Sequence, residues 1–414
     1  MSDKEKLAIN GGTKAVGALK ARFHFGVEEK EAAMQLFDKS IATGEPFGYN
    51  GAEEEAFCKE FAEFLGGGYA DGVNGGTNAV FTALRALDLK PFSEVIVGAV
   101  TDAGGMMPIV LNSCIPVVCD TMPGRFNIGP EQVEKCITPQ TSAIVVPHIG
   151  GEPADIKGIM EIANRHGIPV VEDCAQAHAA QVDGQYVGTF GTYGSFSVMF
   201  GKHFCTGGQG GMVFTKTEEL YYRQRRAADR GKPFGITPPQ GNVIPAINCN
   251  MDELHAAIGR AQLKKLPGIV AGRRRFVELL KSMGIDELKT ISVPEALPGT
   301  VNSYWWMRLN VNLTALTCSR KEFFDALMAE GVPVSPDYKA ALPSTFPWFQ
   351  DRANKHPWNN PLCQGDPCRE FPLPNAMQAM EDNFLFFIKE SWDVEEAEMV
   401  MNAFRKVDAA FAVK

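Results

Sequence analysis

The sequence contains no long hydrophobic run. No window approaches the roughly 18 consecutive apolar residues with which a helix crosses a bilayer. Residues 1–6 are mostly charged, and no apolar stretch of the kind found in secretory signals follows them. We therefore expect a cytoplasmic protein with no membrane partner.

The sequence also has fewer basic residues than acidic ones. The 414 residues include 40 lysines and arginines against 49 aspartates and glutamates, which gives a net charge of −9. A general nucleic-acid-binding surface needs cations that neutralise phosphates, so we expect no nucleic acid partner. The basic runs 223–230 and 273–275 are interpreted as solvated helix faces.

The sequence lacks the cysteine spacing of a zinc site. Its ten cysteines are scattered, mostly beside apolar residues, as is typical of reduced, buried thiols in a cytoplasmic protein. Only Cys363 and Cys368 lie close together, and no second pair stands at zinc-finger spacing. We predict no metal site. Internal repeats and low-complexity tracts are absent as well.

What the chain does contain is an alternation of strand and helix patterns. Short, β-branched apolar runs at 94–100, 116–120, 142–147 and 169–172 are separated by helical patterns, notably 154–166. This alternation predicts an α/β fold with a mostly parallel sheet buried on both faces. Ligands of such sheets bind beyond the carboxyl ends of the strands.

The composition changes near Lys289, and we predict two domains. A large domain with an N-terminal arm spans residues 1–285, and a smaller α/β domain spans residues 286–414. The first is expected to end in two helices, from residue 250 or 251 to 266 and from about 270 to 283. A proline-rich stretch, 342–370, is expected to be a long ordered loop.

One lysine stands at a glycine-rich bend. Residues 195–200 and 211–215 read as strands, and Lys202 lies between them with Gly201, Gly207 and two further glycines. Glycine lets a backbone approach a ligand closely, and burial in an apolar site would free the amine as a nucleophile. Such an amine can form a Schiff base with an aldehyde cofactor. A surface lysine in a flexible loop is the alternative.

A second motif has the pattern of a phosphate cup. Gly75, Gly76 and Thr77 stand where a helix begins, because apolar residues recur at helical spacing after them. Free backbone N–H groups, the positive helix end and the Thr77 hydroxyl can together bind a phosphate. A capped helix start without a ligand is the alternative, and the motif taken alone favours it.

A third motif follows the strand 169–172. Asp173 stands at the edge of the sheet where ligands bind, and its carboxylate can pair with a protonated ring nitrogen of a cofactor. Gln176 and His178 offer neutral hydrogen-bonding groups nearby. Asp173 could instead be the N-cap of a following helix.

Together the three motifs point to pyridoxal 5'-phosphate, which has a phosphate, a ring nitrogen and an aldehyde. With them the chain resembles the sugar aminotransferases of the DegT/DnrJ/EryC1/StrS family, within fold type I of the pyridoxal phosphate enzymes. The resemblance is clear from Leu7 to about Leu266 and looser beyond. The stretches that carry it are Leu7 to Thr13, Gly75 to Thr77, Val170 to His178, Ser195 to Ser197 before Lys202 and His203, Thr206 to Gly211, Asn248 with Met251, and Ala256 to Leu263.

The resemblance implies a seven-stranded sheet in the large domain and an amino-group transfer from glutamate or glutamine to a keto sugar or cyclitol, free or nucleotide-linked. Lys202 would be the catalytic Schiff-base lysine and proton shuttle. Asp173 would pair with the pyridine nitrogen, and Gln176 would contact the ring hydroxyl. Family members are usually homodimers with shared active sites.

The phosphate ligands implied by the resemblance come from three stretches. Gly76, Thr77 and Asn78 lie at the helix start and Ser197 lies in the strand before the lysine. Asn248 would reach the phosphate of the other subunit.

Five residues, in four stretches, depart from the family pattern. Asp102 stands where an aromatic residue usually stacks on the cofactor ring, and we keep it among the cofactor-binding residues as a subgroup marker. Gln209 replaces a common glutamate, and Asn250 replaces the usual arginine of Asn-x-Arg-Met. Trp305 and Trp306 occupy a stretch that often has a histidine near the substrate.

Two alternatives keep the fold. A sugar dehydratase of the same family would carry histidine in place of the lysine, whereas here His203 is only the neighbour of Lys202. A non-catalytic regulatory protein would not need Lys202.

Overall fold

The computed structural model describes residues 3–239, 241–338 and 341–414. Its strands are β1 (Tyr69–Val73), β2 (Glu94–Gly98), β3 (Ile115–Cys119), β4 (Thr141–Pro147), β5 (Val170–Asp173), β6 (Gln181–Val182), β7 (Gln185–Tyr186), β8 (Tyr193–Ser197), β9 (Gly211–Thr215), β10 (Ile291–Ser292), β11 (Thr300–Val301), β12 (Met307–Val311), β13 (Val334–Ser335) and β14 (Asn383–Phe386). Its α-helices are α1 (Val27–Thr43), α2 (Ala52–Phe64), α3 (Gly76–Ala86), α4 (Ala103–Leu111), α5 (Pro130–Cys136), α6 (Ile156–His166), α7 (Glu218–Ala228), α8 (Glu253–Ser282), α9 (Arg320–Ala329), α10 (Pro347–Gln350), α11 (Pro374–Asp382) and α12 (Val394–Phe411).

The predicted parallel sheet is confirmed. Seven strands lie in the order β1-β9-β8-β5-β4-β2-β3. The pairs from β8 to β3 are parallel, whereas β9 pairs antiparallel with both β8 and β1. The carboxyl ends of β2, β4, β5 and β8 therefore meet at one edge, which is the edge at which such sheets bind ligands.

Both faces of this sheet are buried. Side chains of a strand alternate between the two faces, so neighbouring residues belong to different apolar clusters. In β2, Val95 and Val97 join an apolar cluster that includes Ile109 of α4. Ile96, between them, joins a second cluster that includes Ile159 of α6. The sheet is thus a middle layer between two helical layers.

A second sheet follows in the chain. The antiparallel order β10-β12-β14-β13 packs in a separate apolar cluster with Phe276 of α8, Phe323 of α9 and Phe404 of α12. This arrangement agrees with a smaller α/β unit. The division at residue 285 stays a prediction.

The two helices predicted between residues 250 and 283 are wrong. The structure has the single 30-residue helix α8 with Pro267 inside it. Proline removes one helical hydrogen bond, but residues on both sides of it, such as Leu266 and Val270, are buried, and the helix packs along α1 and α2. Tertiary packing therefore stabilises a helix that local propensity would interrupt.

Several boundaries also differ. The strand predicted at 195–200 is β8, which ends at Ser197, because the chain turns before Lys202. The strand predicted at 169–172 extends to Asp173. Neither β1 nor β14 was predicted from the sequence, nor were the two-residue strands β6, β7, β10 and β11. The stretch 342–370 includes α10 and short 3-10 turns.

Among the described residues, no helix is both long enough and apolar enough to span a bilayer.

Candidate active site

A cavity of about 200 Å³ lies at the carboxyl edge of the large sheet. Seven of the predicted site residues line it, together with Trp305 and others. They are Gly76, Thr77, Asp102, Asp173, Gln176, Ser197 and Lys202. A larger groove of about 670 Å³ lies between α1, α2 and α8, but it contains none of these residues. The smaller cavity is therefore the candidate active site.

The phosphate cup forms one end of the cavity. Helix α3 begins at Gly76, and no side chain caps its N-terminus. The first helical amides therefore remain available to an anion, and the helix dipole favours negative charge there. A Cβ on Gly76 would lie 2.5 Å from Cβ of Ser197, so the helix start can approach β8 only because residue 76 is glycine.

Two predicted phosphate ligands lie outside the cavity lining. The Asn78 amide donates to Oδ1 of Asn74 at 2.6 Å, at the same helix start. Asn248 is exposed, and its Oδ1 accepts from the backbone and side chain of Asn250. The cavity of one chain therefore does not include Asn248.

Asp173 is the last residue of β5, and it is a buried residue of the cavity lining. No helix follows it, so it is not an N-cap. Its Oδ1 instead accepts the Ala175 N–H at 3.0 Å. Burial raises the pKa of Asp173, although the Ala175 N–H and the positive charge of Lys202 act in the opposite direction.

The start of α4 closes over Asp173. A Cβ on Gly105 would lie 2.4 Å from Oγ1 of Thr101 and 3.0 Å from Oδ2 of Asp173. Only glycine fits between them. The carboxylate is thus enclosed on the side of α4, and this enclosure contributes to its raised pKa.

Lys202 lies in the turn that follows β8, and its backbone N–H donates to Met199 O. The residue is 8% exposed. Burial lowers the pKa of the Lys202 amine to about 8, against the attraction of Asp173 and Asp102, which raises it. The amine therefore has a neutral, nucleophilic fraction near pH 7 that a surface lysine lacks.

Asp102 has a structural role that the sequence analysis did not predict. It is the N-cap of α4, and its Oδ1 accepts the Gly104 N–H at 2.8 Å. It is exposed at the mouth of the cavity, and its charge acts on both Lys202 and Asp173. The carboxylate thus adds negative charge to the site.

The amide of Gln176 is held at both ends. Its Oε1 accepts the Gly150 N–H at 2.8 Å, and its Nε2 donates to the Tyr338 hydroxyl at 2.8 Å. Tyr338 lies more than 160 positions away in the chain, and no local motif marks it. The fixed amide leaves one N–H and one lone pair for a ligand.

His178 does not line the cavity. Its ring is buried beside His203, and burial, with a smaller effect of the Lys202 charge, lowers its pKa to about 3. It therefore stays neutral and serves as packing behind the lysine.

One group of potential metal ligands lies near the site, formed by His148, Glu172 and Cys174. The Ala154 N–H donates to His148 Nδ1, so the other nitrogen carries the proton and donates to Glu172 at 3.1 Å. Three backbone N–H groups also donate to Glu172. These donors and acceptors are already paired with one another, so the group serves as structural support.

The cavity fits the chemistry of pyridoxal phosphate. A glycine-lined helix start suits the phosphate, an enclosed carboxylate suits the ring nitrogen, and a desolvated amine suits the aldehyde. Glycine at residues 76 and 105, where a Cβ would collide with Ser197 or with Thr101 and Asp173, lets the starts of α3 and α4 lie close to these groups.

Comparison with known proteins agrees with this chemistry. An aminotransferase of UDP-N-acetyl-3-dehydro-alpha-D-glucosamine from Acidithiobacillus ferrooxidans is 34% identical over 68% of this chain and 73% of its own length. An L-glutamine:2-deoxy-scyllo-inosose aminotransferase from Streptomyces kanamyceticus is 33% identical over 79% of this chain and 78% of its own.

The solved structure of an aminotransferase from Psychrobacter cryohalolentis superposes with a TM-score of 0.81 at 28% identity, covering 93% of this chain and 98% of that one. The fold type I architecture expected from the sequence is confirmed. Residues 28–401 match the sequence model of the DegT/DnrJ/EryC1/StrS aminotransferase family. The chain belongs to this family, whose members depend on pyridoxal phosphate.

Proposed function

We propose that this enzyme transfers an amino group from glutamate or glutamine to the keto group of a sugar or cyclitol in amino-sugar biosynthesis. The observation that carries the proposal is the desolvated Lys202 amine in one cavity with Asp173 and the helix start at Gly76. The named activities of the relatives, on a nucleotide-linked sugar and on an inosose, support the class of acceptor.

The cofactor would be held at three points. The first amides of α3, with Thr77, Asn78 and Ser197, would bind the phosphate. Asp173 would face the ring nitrogen and stabilise its positive charge, and Gln176 would meet the ring hydroxyl. When bound, pyridoxal phosphate supplies an aldehyde that accepts amino groups and a ring that withdraws electrons from the reacting carbon.

Lys202 is the residue we assign to catalysis. Its Nζ would hold the aldehyde end until an amino donor replaces it. The released amine, with a pKa of about 8, can then accept a proton from the substrate carbon at neutral pH and give it back at the neighbouring carbon. The low exposure of Lys202 keeps water from competing for that proton.

We further propose a homodimer with shared active sites. Large apolar side chains are exposed along the N-terminal region, including Phe23 (82% exposed) and Ile41 (78%). Others stand beside the site residues: Phe200 precedes Lys202, and Ile247 precedes Asn248. A second copy that covers these residues would bring Asn248 to the phosphate of its partner.

The compartment we propose is the cytoplasm. All ten cysteines are free thiols, and several of them, such as Cys174 and Cys205, are buried. Free buried thiols are typical of proteins made in a reducing compartment.

The geometry gives no support to the dehydratase alternative. His203, the residue that could have replaced the lysine, is buried and interacts through Nε2 with the Ser303 carbonyl at 3.1 Å. It does not line the cavity. A regulatory protein would not need a desolvated amine whose pKa is acted on by both carboxylates of the site.

The proposed function is tested by absorption spectroscopy of the purified protein. Bound pyridoxal phosphate attached to Lys202 should give a visible band, which glutamate or glutamine should bleach and a keto sugar or cyclitol should restore. Lys202→Ala should abolish the band, whereas Lys216→Ala, at an exposed lysine, should leave it unchanged. A band that no amino donor bleaches would reject an aminotransferase.

The pKa of Lys202 sets the pH dependence of cofactor capture. Because the pKa is lowered to about 8, the neutral amine fraction should rise about tenfold per pH unit below pH 7 and level off above pH 9. The rate at which cofactor-free protein captures pyridoxal phosphate should follow this fraction, and stopped-flow absorbance measures it. Nα-acetyl-lysine, whose side-chain amine is free, is the reference for the titration of the cofactor itself. Asp173→Asn removes a charge that raises this pKa, so its midpoint should lie lower. A wild-type midpoint near 10 would contradict the burial argument.

A pair of adjacent glycines tests the phosphate cup. Gly76→Ala should weaken pyridoxal phosphate binding at least about tenfold, because its Cβ would collide with Ser197. Gly75→Ala is the matched control: its Cβ would approach only Asn78, at 3.9 Å, and its φ of 177° is extended. Dissociation constants from absorbance titration decide the comparison. Equal losses in the two variants would show that the cup is misassigned.

The shared site predicts complementation between inactive subunits. Lys202→Ala and Asn248→Asp should each be inactive or strongly impaired, the second because a carboxylate would repel the phosphate. Equal mixing with subunit exchange should restore about a quarter of the wild-type sites, since half of the dimers would be hybrids with one intact site. Analytical ultracentrifugation confirms the oligomer. Activity that stays at the level of the separate variants would refute a shared site.

A further inference from the structure

Trp305 makes two contacts with the Lys202 turn. Its ring face lies under the Lys202 ammonium, with Nζ 4.0 Å from the ring centroid. Its indole N–H donates to the Gly201 carbonyl at 2.8 Å. One side chain therefore holds both the peptide before the lysine and the amine itself.

The backbone of Trp305 is held in turn. Its N–H donates to the Gly150 carbonyl at 2.9 Å, and its carbonyl accepts from Nη1 of Arg273 at 2.8 Å. Gly150 has a φ of +67°, and a Cβ there would lie 2.7 Å from the ring of Trp306. Trp305 is thus held through its indole N–H, its backbone N–H and its backbone carbonyl.

A buried ion network connects the two sides of the lysine. Glu390 pairs with Arg273 at 2.9 Å and with Arg22 at 2.7 Å. Arg22 donates through Nη2 to the His203 carbonyl at 2.6 Å. The Gly201 carbonyl, before Lys202, is therefore held by Trp305, and the His203 carbonyl, after it, is held by Arg22. Glu390 connects the two sides because it pairs both with Arg22 and with Arg273, which holds Trp305.

We propose that Trp305 is a positioning residue for Lys202. The ring face of Trp305 keeps the Lys202 amine inside the cavity, and its indole N–H fixes the turn that carries the lysine. The proposal rests on the proposed function, since it gives Trp305 a purpose only if Lys202 is the reacting amine. Trp306 is different: it is buried in the core against Phe126 and Tyr338.

The charges around the amine define what the ring contributes. Asp173 and Asp102 attract the ammonium, and His178 stays neutral. The face of an indole ring carries partial negative charge and stabilises a cation, an effect that is stronger where water is excluded. Weakening this charge, without changing the shape of the ring, should therefore destabilise the ammonium and lower the pKa of Lys202.

Fluorinated tryptophan makes this change. The cofactor-free full-length protein is prepared with tryptophan and with ring-fluorinated tryptophans of one to three fluorines. The pKa of Lys202 is then read from the pH dependence of its acetylation, with mass spectrometry of the Lys202 peptide. We expect a stepwise fall of about 0.5 to 1 unit across the series. In Trp305→Phe, where this ring cannot be fluorinated, the pKa should be constant. A constant pKa in the wild-type series, or an equal fall in the variant, would overturn the proposal.

A second comparison tests the hold on the turn. At pH 10, where the amine is neutral in all variants, Trp305→Leu should slow the capture of pyridoxal phosphate at least about tenfold because the amine is no longer oriented. Trp348→Leu, at another partly buried tryptophan outside the cavity, should capture it at the wild-type rate. Equal rates in the two variants would reject positioning. If the wild type captures no cofactor, the proposed function fails, whereas the acetylation series needs no cofactor and still decides the role of Trp305.

Discussion

The burial of an amine beside carboxylates is the constraint on which this site depends. Both groups are removed from water, and the cost of charge in that environment outweighs their mutual attraction: the pKa of Lys202 falls and that of Asp173 rises. Such a pair relaxes toward solvent unless its surroundings are rigid. The close approach at Gly76 and Gly105, and the hold of Trp305 on the lysine turn, supply that rigidity.

Two adjacent acidic residues of β5 have different roles. Asp173 faces the cavity. Glu172 lies on the opposite face of the strand, where it accepts N–H groups from Gly188, Phe190 and Gly191 and interacts with His148. The first provides charge for a ligand, and the second fixes the loop that leads into β8 and then to Lys202. The alternation of a strand thus lets consecutive carboxylates serve binding and architecture.

Local sequence was sufficient for six of the seven strands of the large sheet, all but β1, and for the residues that follow several of them. Asp173 was placed at the ligand-binding edge because it follows a strand of a parallel sheet. Gly76 and Lys202 were joined to it because the three match the phosphate, the ring nitrogen and the aldehyde of one cofactor. Long-range contacts were beyond this reasoning. Tyr338, which follows β13, accepts a hydrogen bond from Gln176. Glu390, which follows β14, supports the Lys202 turn through Arg273 and Arg22. Nothing around either residue in the sequence marks it. The continuous α8 was missed because local propensity ends a helix near Pro267, whereas packing against α1 and α2 continues it.

The stretch 342–370 returns from the smaller sheet and packs on the large one. Leu342, Phe349 and Trp358 join the apolar cluster that holds α3 and α4, and the Ala341 carbonyl accepts the Thr101 N–H at 2.8 Å. The cavity mouth at Asp102 thus borders a packed segment that belongs to neither sheet. A change in the length of this segment would therefore be transmitted, through the hydrogen bond between Thr101 and Ala341, to the start of α4 and so to the cavity.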